Sequence, residues 1–269
     1  MSIEKHFLVP TDFSENAFTA LAFAIQLAKE SNTHIRVLHI LNSKESTDSF
    51  DEAESKLHGL IRDIKAVQPQ LSISACLLEG PFLSTLLEHE KDHNYQAIIM
   101  GTNGISGLKK RWLGSNTLNT IDKSSNPVWA VPLEYEPHIP VNIGFLTNFI
   151  PDEVDIFKRF THAFGNNFQL NLLHVREINE TPYPHVDSWK EKFTSVLGND
   201  QVEYYEDTTT KRVDIADKPS DCIKDFIIDL KLDALILKYV PKSFFNNILG
   251  KNVGRNLSQD QSIPICFFK

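Results

Sequence analysis

Residues 95–117 read YQAIIMGTNGISGLKKRWLGSNT. The apolar run Ala97–Met100 ends at Gly101, and the pattern continues as Gly101-x2-Gly104. Further along, Gly114 and Ser115 precede a segment with helical spacing. A strand that runs through glycines into a helix start presents amide groups without partners, and such amides bind anions. This stretch therefore predicts a phosphate-binding loop at the carboxyl end of a strand.

A plainer interpretation of the same loop stays open. Glycines between a strand and a helix also build a tight turn and a helix cap without any ligand. Asp12 follows the first apolar run of the chain and favours a ligand site, because an acidic side chain would lie at a second strand end. Asp12 or Ser14 also fits as the cap of the first helix.

Strand-like and helix-like segments alternate along the first half. The strand-like runs are 6–10, 34–41, 71–78, 97–100 and 127–131. Helical spacing follows Ser14 and recurs in 50–67, around Leu83–Leu87 and in 114–125. This alternation predicts an open, mostly parallel five-stranded sheet covered by helices, the doubly wound α/β class.

Ligands of such sheets bind beyond the carboxyl ends of the strands, where the strand order reverses. The residues that follow strands one, two and four are therefore the candidate site. They are Pro10, Thr11, Asp12, Ile40 and the loop that begins at Gly101.

An internal repeat divides the chain into two halves. Similar apolar runs contain His39 in the first half and His174 in the second. Ala97 recurs as Ala234 and Pro127 as Pro264, both at almost the same offset as the histidines. The nearly constant offset predicts two tandem domains, 1–136 and 137–269, each with the same fold. The paired histidines are expected to be hydrogen-bonded core residues, not catalytic ones.

The second half has lost the glycine pattern. Lys238 takes the place of Gly101, and Pro241 takes the place of Gly104. Proline has no amide hydrogen to offer an anion. Lys251 replaces Ser115, and Asn148 replaces Asp12. We expect a domain without the nucleotide geometry; a different anion held by Lys238 and Lys251 is the alternative.

Composition excludes several classes of protein. The 269 residues are 41% hydrophobic and carry a net charge of −8, which indicates a globular chain and disfavours nucleic acid as a partner. No membrane span, signal peptide or metal-ligand cluster is apparent. Cys76, Cys222 and Cys266 are expected to be buried thiols in a cytoplasmic protein.

The glycine pattern Gly101-x2-Gly104-x9-Gly114-Ser115 resembles the ATP-binding signature of the universal stress protein (UspA-like) family. LVPTDFS (8–14) and NPVWAVP (126–132) are similar to that family as well. The resemblance spans the whole first half and identifies the chain as a tandem two-domain member. It implies Rossmann-like domains of the adenine nucleotide alpha hydrolase type.

The resemblance also implies a set of nucleotide-binding residues. Asp12 would contact the nucleoside, the backbone of Ile40 would meet the adenine edge, and Pro10 would shape the first loop. Met100 and Gly101 would line the sugar and phosphate. The residues that would hold the phosphates are Gly104, Gly114, Ser115 and Asn116.

The expected function is ATP or adenine-nucleotide binding in stress response or signalling, through nucleotide-dependent conformation and partner binding. Two alternatives stay open: a slow ATPase or nucleotidyl-transfer enzyme that uses the same pocket, and a scaffold that binds no nucleotide. No catalytic residue or metal ligand is assigned, although Mg²⁺ often accompanies a triphosphate. The resemblance further implies an intramolecular pseudo-dimer of the two halves and leaves a homodimer open.

Overall fold

The computed structural model describes residues 5–42, 47–102, 113–177, 180–209, 211–212, 215–216, 219–239 and 263–269. These residues form two compact units, the first ending at Ile139 and the second beginning at Pro140. None of the helices in these ranges is long and apolar enough to cross a bilayer.

The first unit alternates strands and helices as its apolar pattern predicts. Its elements are β1 (His6–Pro10), α1 (Glu15–Ser31), β2 (His34–Leu41), α2 (Phe50–Val67), β3 (Ile73–Glu79), α3 (Phe82–Lys91), β4 (Tyr95–Gly101), α4 (Ser115–Lys123) and β5 (Val128–Val131). The predicted bounds of β1, β2 and α2 are confirmed without change, and the other predicted segments differ by a few residues at their ends.

The strand order of the first unit positions the candidate site. The order is β3-β2-β1-β4-β5, and each neighbouring pair is parallel. The chain runs outward from β1 to β3 and then returns to the other side of β1 for β4. The order therefore reverses between β1 and β4, and the ends of these two strands border the crevice in which such folds bind ligands.

The second unit repeats this arrangement. It contains β6 (Asn142–Leu146), α5 (Asp152–Phe164), β7 (Gln169–Glu177), α6 (Val186–Leu197), β8 (Val202–Thr209), β9 (Lys211–Arg212), β10 (Ile215–Ala216), α7 (Pro219–Asp229), β11 (Ala234–Lys238) and β12 (Ile265–Phe268). Its parallel strands are ordered β8-β7-β6-β11-β12, and β9 pairs with β10 in a separate antiparallel ribbon. Both units are thus open five-stranded parallel sheets of the doubly wound class.

Each unit has its own aromatic core. In the first unit the ring of Phe23 packs edge-on against Trp129, with 5.2 Å between ring centroids. In the second unit Phe145 and Phe157 both contact the fully buried Phe193, each at 5.2 Å. Aromatic pairs at such distances add to the free energy gained from burying apolar area.

The cysteines match the sequence expectation in part. No disulfide links the three residues. Cys222 and Cys266 are buried as predicted, whereas Cys76 is only half-buried. The burial prediction is wrong for Cys76 because it lies on β3, which is the edge strand of its sheet.

The start of α1 resolves the question of its cap. The Ser14 side chain accepts a hydrogen bond from the amide of Ala17 at 3.2 Å, so Ser14 is the N-cap. Asp12 lies outside the helix and accepts from the amide of Ser14 through Oδ1, at 3.1 Å. The two candidates therefore have different roles, and only Ser14 caps the helix.

We expect Ser14→Ala to lower the free energy of unfolding of the first unit by about 1 kcal/mol, because a helix amide loses its acceptor. Urea unfolding, monitored through hydrogen exchange of the α1 amides, measures the change. The control is Ser14→Asp, which keeps an oxygen acceptor and should remain near the wild-type value. An equal loss in both variants would contradict the capping role.

Candidate functional site

The loop that leaves β1 is held by backbone hydrogen bonds. The amide of Thr11 donates to the carbonyl oxygen of Leu38 at 2.8 Å, and the amide of Phe13 donates to Thr11 Oγ1 at 3.1 Å. Phe13 adopts a positive φ of 61°, which turns the chain sharply before α1. The half-buried carboxylate of Asp12 is consequently fixed at the carboxyl end of β1, beside the start of the helix.

His39 fastens this loop to β2. Its Nδ1 donates to the carbonyl oxygen of Thr11 at 2.8 Å, and its ring lies 4.6 Å from that of Phe13. A carbonyl oxygen can only accept, so the proton is on Nδ1. The prediction that His39 is hydrogen-bonded is confirmed, although the residue is half-buried and does not lie in the core.

The second unit builds the same loop. His174 Nδ1 donates to the carbonyl oxygen of Thr147 at 2.9 Å, and the amide of Phe149 donates to Thr147 Oγ1 at 3.1 Å. Phe149 has a φ of 59°, close to that of Phe13. The loop geometry is therefore a property of the fold, and what distinguishes the units is the residue presented there, Asp12 in one and Asn148 in the other.

Gly101, the last residue of β4, lies in close contact with α1. A Cβ at this position would lie 2.5 Å from Oδ1 and 2.7 Å from the backbone oxygen of Asn16. The space into which a Cβ would project is thus filled by α1. Asn16 is buried there and donates from Nδ2 to the carbonyl oxygen of Val131 at 3.2 Å.

The start of α4 is tied to the end of β4. The amide of Gly114 donates to the carbonyl oxygen of Thr102, and Thr117 Oγ1 donates to that of Gly101 at 2.8 Å. Gly114 is the N-cap, and no described side chain caps the helix. Ser115 and Asn116 are exposed in the first turn. The amides of this turn therefore form a positively polarised edge next to the crevice.

The remaining predicted residues lie at the same edge of the sheet where they are described. Pro10 ends β1, and Met100 is buried in β4 on one side of it. Ile40 is half-buried near the end of β2, on the other side. Gly104 lies outside the described residues, as do Pro241 and Lys251 of the second unit.

At the matching position of the second unit, an ion pair replaces the glycine contact. Lys238 Nζ binds Asp152 Oδ2. The repeat aligns Asp152 with Asn16, so both members of the Asn16–Gly101 contact have changed together. The ammonium group of Lys238 already has an acidic partner, which disfavours the alternative that it binds a separate anion.

A buried carboxylate fills the region next to Asn148. Glu153 is 1% exposed, and its carboxylate accepts from Thr147 Oγ1 at 2.6 Å and from the amide of Asn148 at 2.9 Å. Burial raises the pKa of Glu153, while these hydrogen bonds lower it in part. Trp189 Nε1 donates to Thr147 Oγ1 at 3.0 Å and completes the network.

An aromatic pair covers the same loop. The ring of Tyr183 stacks on Phe149 with 3.8 Å between centroids and 13° between planes. The second unit thus places its own side chains against its Thr147–Phe149 loop, which corresponds to the Asp12 loop of the first unit.

Among the residues of these sites that were not predicted from the sequence are Asn16, Glu153 and Trp189. The repeat could have found them, because it aligns Asn16 with Asp152, Glu153 with Ala17 and Trp189 with Ala53. The first unit has alanine at the two positions where the second unit has the buried acid Glu153 and the indole of Trp189. This difference marks a place where the units diverge.

No group of three or more histidine, cysteine, aspartate or glutamate side chains within the described ranges could hold a metal ion.

A model described as "Universal stress protein family" matches residues 4–132. Universal stress protein YxiE of Bacillus subtilis is 30% identical to this chain over 142 residues, which cover 46% of the chain and 96% of that protein. The chain belongs to the universal stress protein family. Universal stress protein MJ0577 of Methanocaldococcus jannaschii is 26% identical over 154 residues, 47% of this chain and 94% of that protein.

Similarity to solved structures extends over both units. The crystal structure of a universal stress protein from Archaeoglobus fulgidus covers 98% of each chain with a TM-score of 0.72 and 18% identity. At this identity the likeness supports the fold alone, and it supports it over nearly the full length of the chain.

We expect Gly101→Ala to destabilise the first unit by about 1–3 kcal/mol, because the added methyl group overlaps Asn16. Chemical denaturation of the full chain measures the loss. The double variant Asn16→Ala, Gly101→Ala removes the overlapping side chain but not the backbone oxygen, so stability should not return to the wild-type value. Full recovery would contradict close helix packing as the reason for the glycine.

The buried acid should give the second unit a distinct pH dependence. Because the pKa of Glu153 is raised above its usual 4.5, the folded chain holds this proton more tightly than the unfolded chain does. The stability of the second unit should consequently fall as pH rises from 4.5 through the raised value.

Glu153→Gln should flatten that slope, as measured by urea unfolding of the second unit between pH 4.5 and 7.5. The control is Glu191→Gln, which changes an exposed carboxylate on α6. Slopes that match in the two variants would contradict the role of Glu153.

Proposed function

We propose that the first unit binds an adenine nucleotide, with ATP as the leading candidate, and that the bound form is recognised by a protein partner in stress response or signalling. The observation that carries this proposal is the start of α4. Its first turn has no capping side chain among the described residues, and it is fastened to β4 where the strand order reverses. Family membership makes the adenine nucleotide the ligand to test first.

Asp12, Ile40 and Ser115 each have a proposed role that their positions permit. The phosphates would accept hydrogen bonds from the first-turn amides of α4 and from the Ser115 hydroxyl. The Asp12 carboxylate would accept from sugar hydroxyls, since an ionised carboxylate can only accept. Ile40 would meet the base through its backbone. Gly104 is proposed from the sequence alone.

The second unit is proposed to bind no nucleotide. Asn148 lacks the charge of Asp12, and Lys238 is engaged by Asp152. Whenever Glu153 is ionised, it would place a negative charge near any entering phosphate, in addition to that of Asp152. We therefore propose one nucleotide per chain. The pseudo-dimer, the homodimer and ATP hydrolysis stay predictions.

Calorimetric titration of the full chain with ATP should give one site per chain. Asp12→Asn should weaken binding about tenfold or more, because a hydrogen bond to a charged group contributes roughly 1.5–3 kcal/mol. Gly114→Val should abolish binding. The matched control is Asn148→Asp, which makes the reverse exchange in the second unit and should leave both affinity and stoichiometry unchanged.

Several outcomes would contradict the proposal. They are the absence of heat at millimolar ATP, two sites per chain, or equal effects of Asp12→Asn and Asn148→Asp. Competition with GTP tests selectivity for the base. Other universal stress proteins have been solved in complex with cAMP and dAMP, so these two compounds serve as further probes. Repeating the titration with EDTA tests whether Mg²⁺ contributes.

A further inference from the structure

Four histidines and a tyrosine lie together at the amino end of the first unit's sheet, the end opposite the candidate nucleotide site. We call His6, His34, His89, His93 and Tyr95 the histidine cluster. His6 and His34 begin β1 and β2 as register partners with 5.0 Å between their rings, and Tyr95 begins β4 next to His6. His89 lies in α3, with His93 just beyond its end, 4.3 Å away from ring to ring.

Hydrogen bonds hold these rings in place. His89 Nε2 lies 2.8 Å from the Tyr95 hydroxyl, and His93 Nδ1 donates to the carbonyl oxygen of His89 at 2.9 Å. Both ring nitrogens of His34 contact serine hydroxyls of the neighbouring segment and of β3, each at 2.7 Å. Through these bonds His89 links α3 to β4, and His34 links β2 to β3. Histidine is the side chain whose charge ordinarily changes near neutral pH.

The charges around His89 oppose its protonation. Arg36 faces it from β2, and His93 faces it from beyond α3. Burial, followed by these two groups, lowers the pKa of His89, and Asp92 is the group that acts in the other direction. The neighbouring Glu90 turns its carboxylate to Ser124 and Ser125 instead.

The other titratable neighbours stay neutral in this range of pH. Burial raises the pKa of Tyr95 to about 12, and burial also raises the pKa of the Cys76 thiol on β3. Neither group can supply a negative charge to balance a protonated histidine below neutral pH. Protonation of the cluster would therefore add positive charge beside Arg36.

The second unit provides an internal comparison. None of its corresponding positions carries a histidine, arginine or tyrosine. The residues there are Asn142, Gln169, Asn171, Phe226, Leu230 and Leu232. Asn171 Nδ2 donates to Asn142 Oδ1 at 2.6 Å, so an amide pair occupies the place of His6 and Arg36. The shared fold does not require titratable side chains at this end of the sheet.

We propose that the histidine cluster is an acid-sensitive lock, which opens the α3–β4 part of the first unit at mildly acidic pH and leaves the second unit closed. The direction of this pH dependence follows from the linkage between proton binding and folding. Because the pKa of His89 in the folded chain is below its usual 6.5, the unfolded chain binds this proton more readily. The stabilisation is complete above 6.5 and is lost as pH falls below it.

Amide hydrogen exchange of the full chain, compared between pH 7.5 and 5.5 after correction for intrinsic rates, tests this proposal. Protection of the β4 amides of 97–100 should fall at the lower pH, whereas that of the β11 amides of 234–237 should not. The double variant His89→Gln, His93→Gln should lose this acid-dependent fall. His58→Gln, which removes an exposed histidine of α2, should keep it.

Two outcomes would overturn the proposal: an equal fall of protection in β4 and β11, or a β4 response that persists in the double variant. If the double variant fails to fold, NMR titration of the wild-type histidines decides the matter. His89 should titrate below its usual 6.5, and a midpoint at or above 6.5 would reject the lock.

Discussion

The position of β1 in the middle of its sheet is the constraint on which the first unit depends. β1 pairs in parallel with β2 on one side and with β4 on the other. The chain leaves the sheet after Pro10 and turns towards α1. The bond from the Thr11 amide to Leu38 and the positive φ of Phe13 make that turn. Asp12 then lies at the edge where β4 meets α4.

Comparison of the two units distinguishes residues that support the shared fold from residues that could serve a binding site. His39 and His174 make equivalent hydrogen bonds, so that contact supports the loop in either unit. A pair of contacting residues that differs between the units at both positions is more informative about the site. The Asn16–Gly101 contact of the first unit corresponds to the Asp152–Lys238 ion pair of the second. Both join the first helix of the unit to its fourth parallel strand, but the first contact is neutral and the second is ionic.

Much of the fold could be predicted from the sequence because central parallel strands are buried on both faces. Such strands appear as unbroken apolar runs, as in Phe7–Val9 and Ile143–Leu146. The edge strand β8 was not predicted, since its sequence VEYYEDTT is largely polar and half-buried. The contact of Gly101 with Asn16 was not predicted, because it joins residues that are far apart in the sequence. The network of Glu153 with Trp189 was missed for the same reason.

The central claim is that the nucleotide binds the first unit and leaves the second empty. Amide hydrogen exchange of the full chain with and without saturating ATP tests this claim most directly. The account predicts new protection at the loop of Thr11–Ser14 and in the first turn of α4 at Ser115–Thr117. It predicts no change at Asn148 or Lys238. Protection in the second unit, or none in the first, would contradict it.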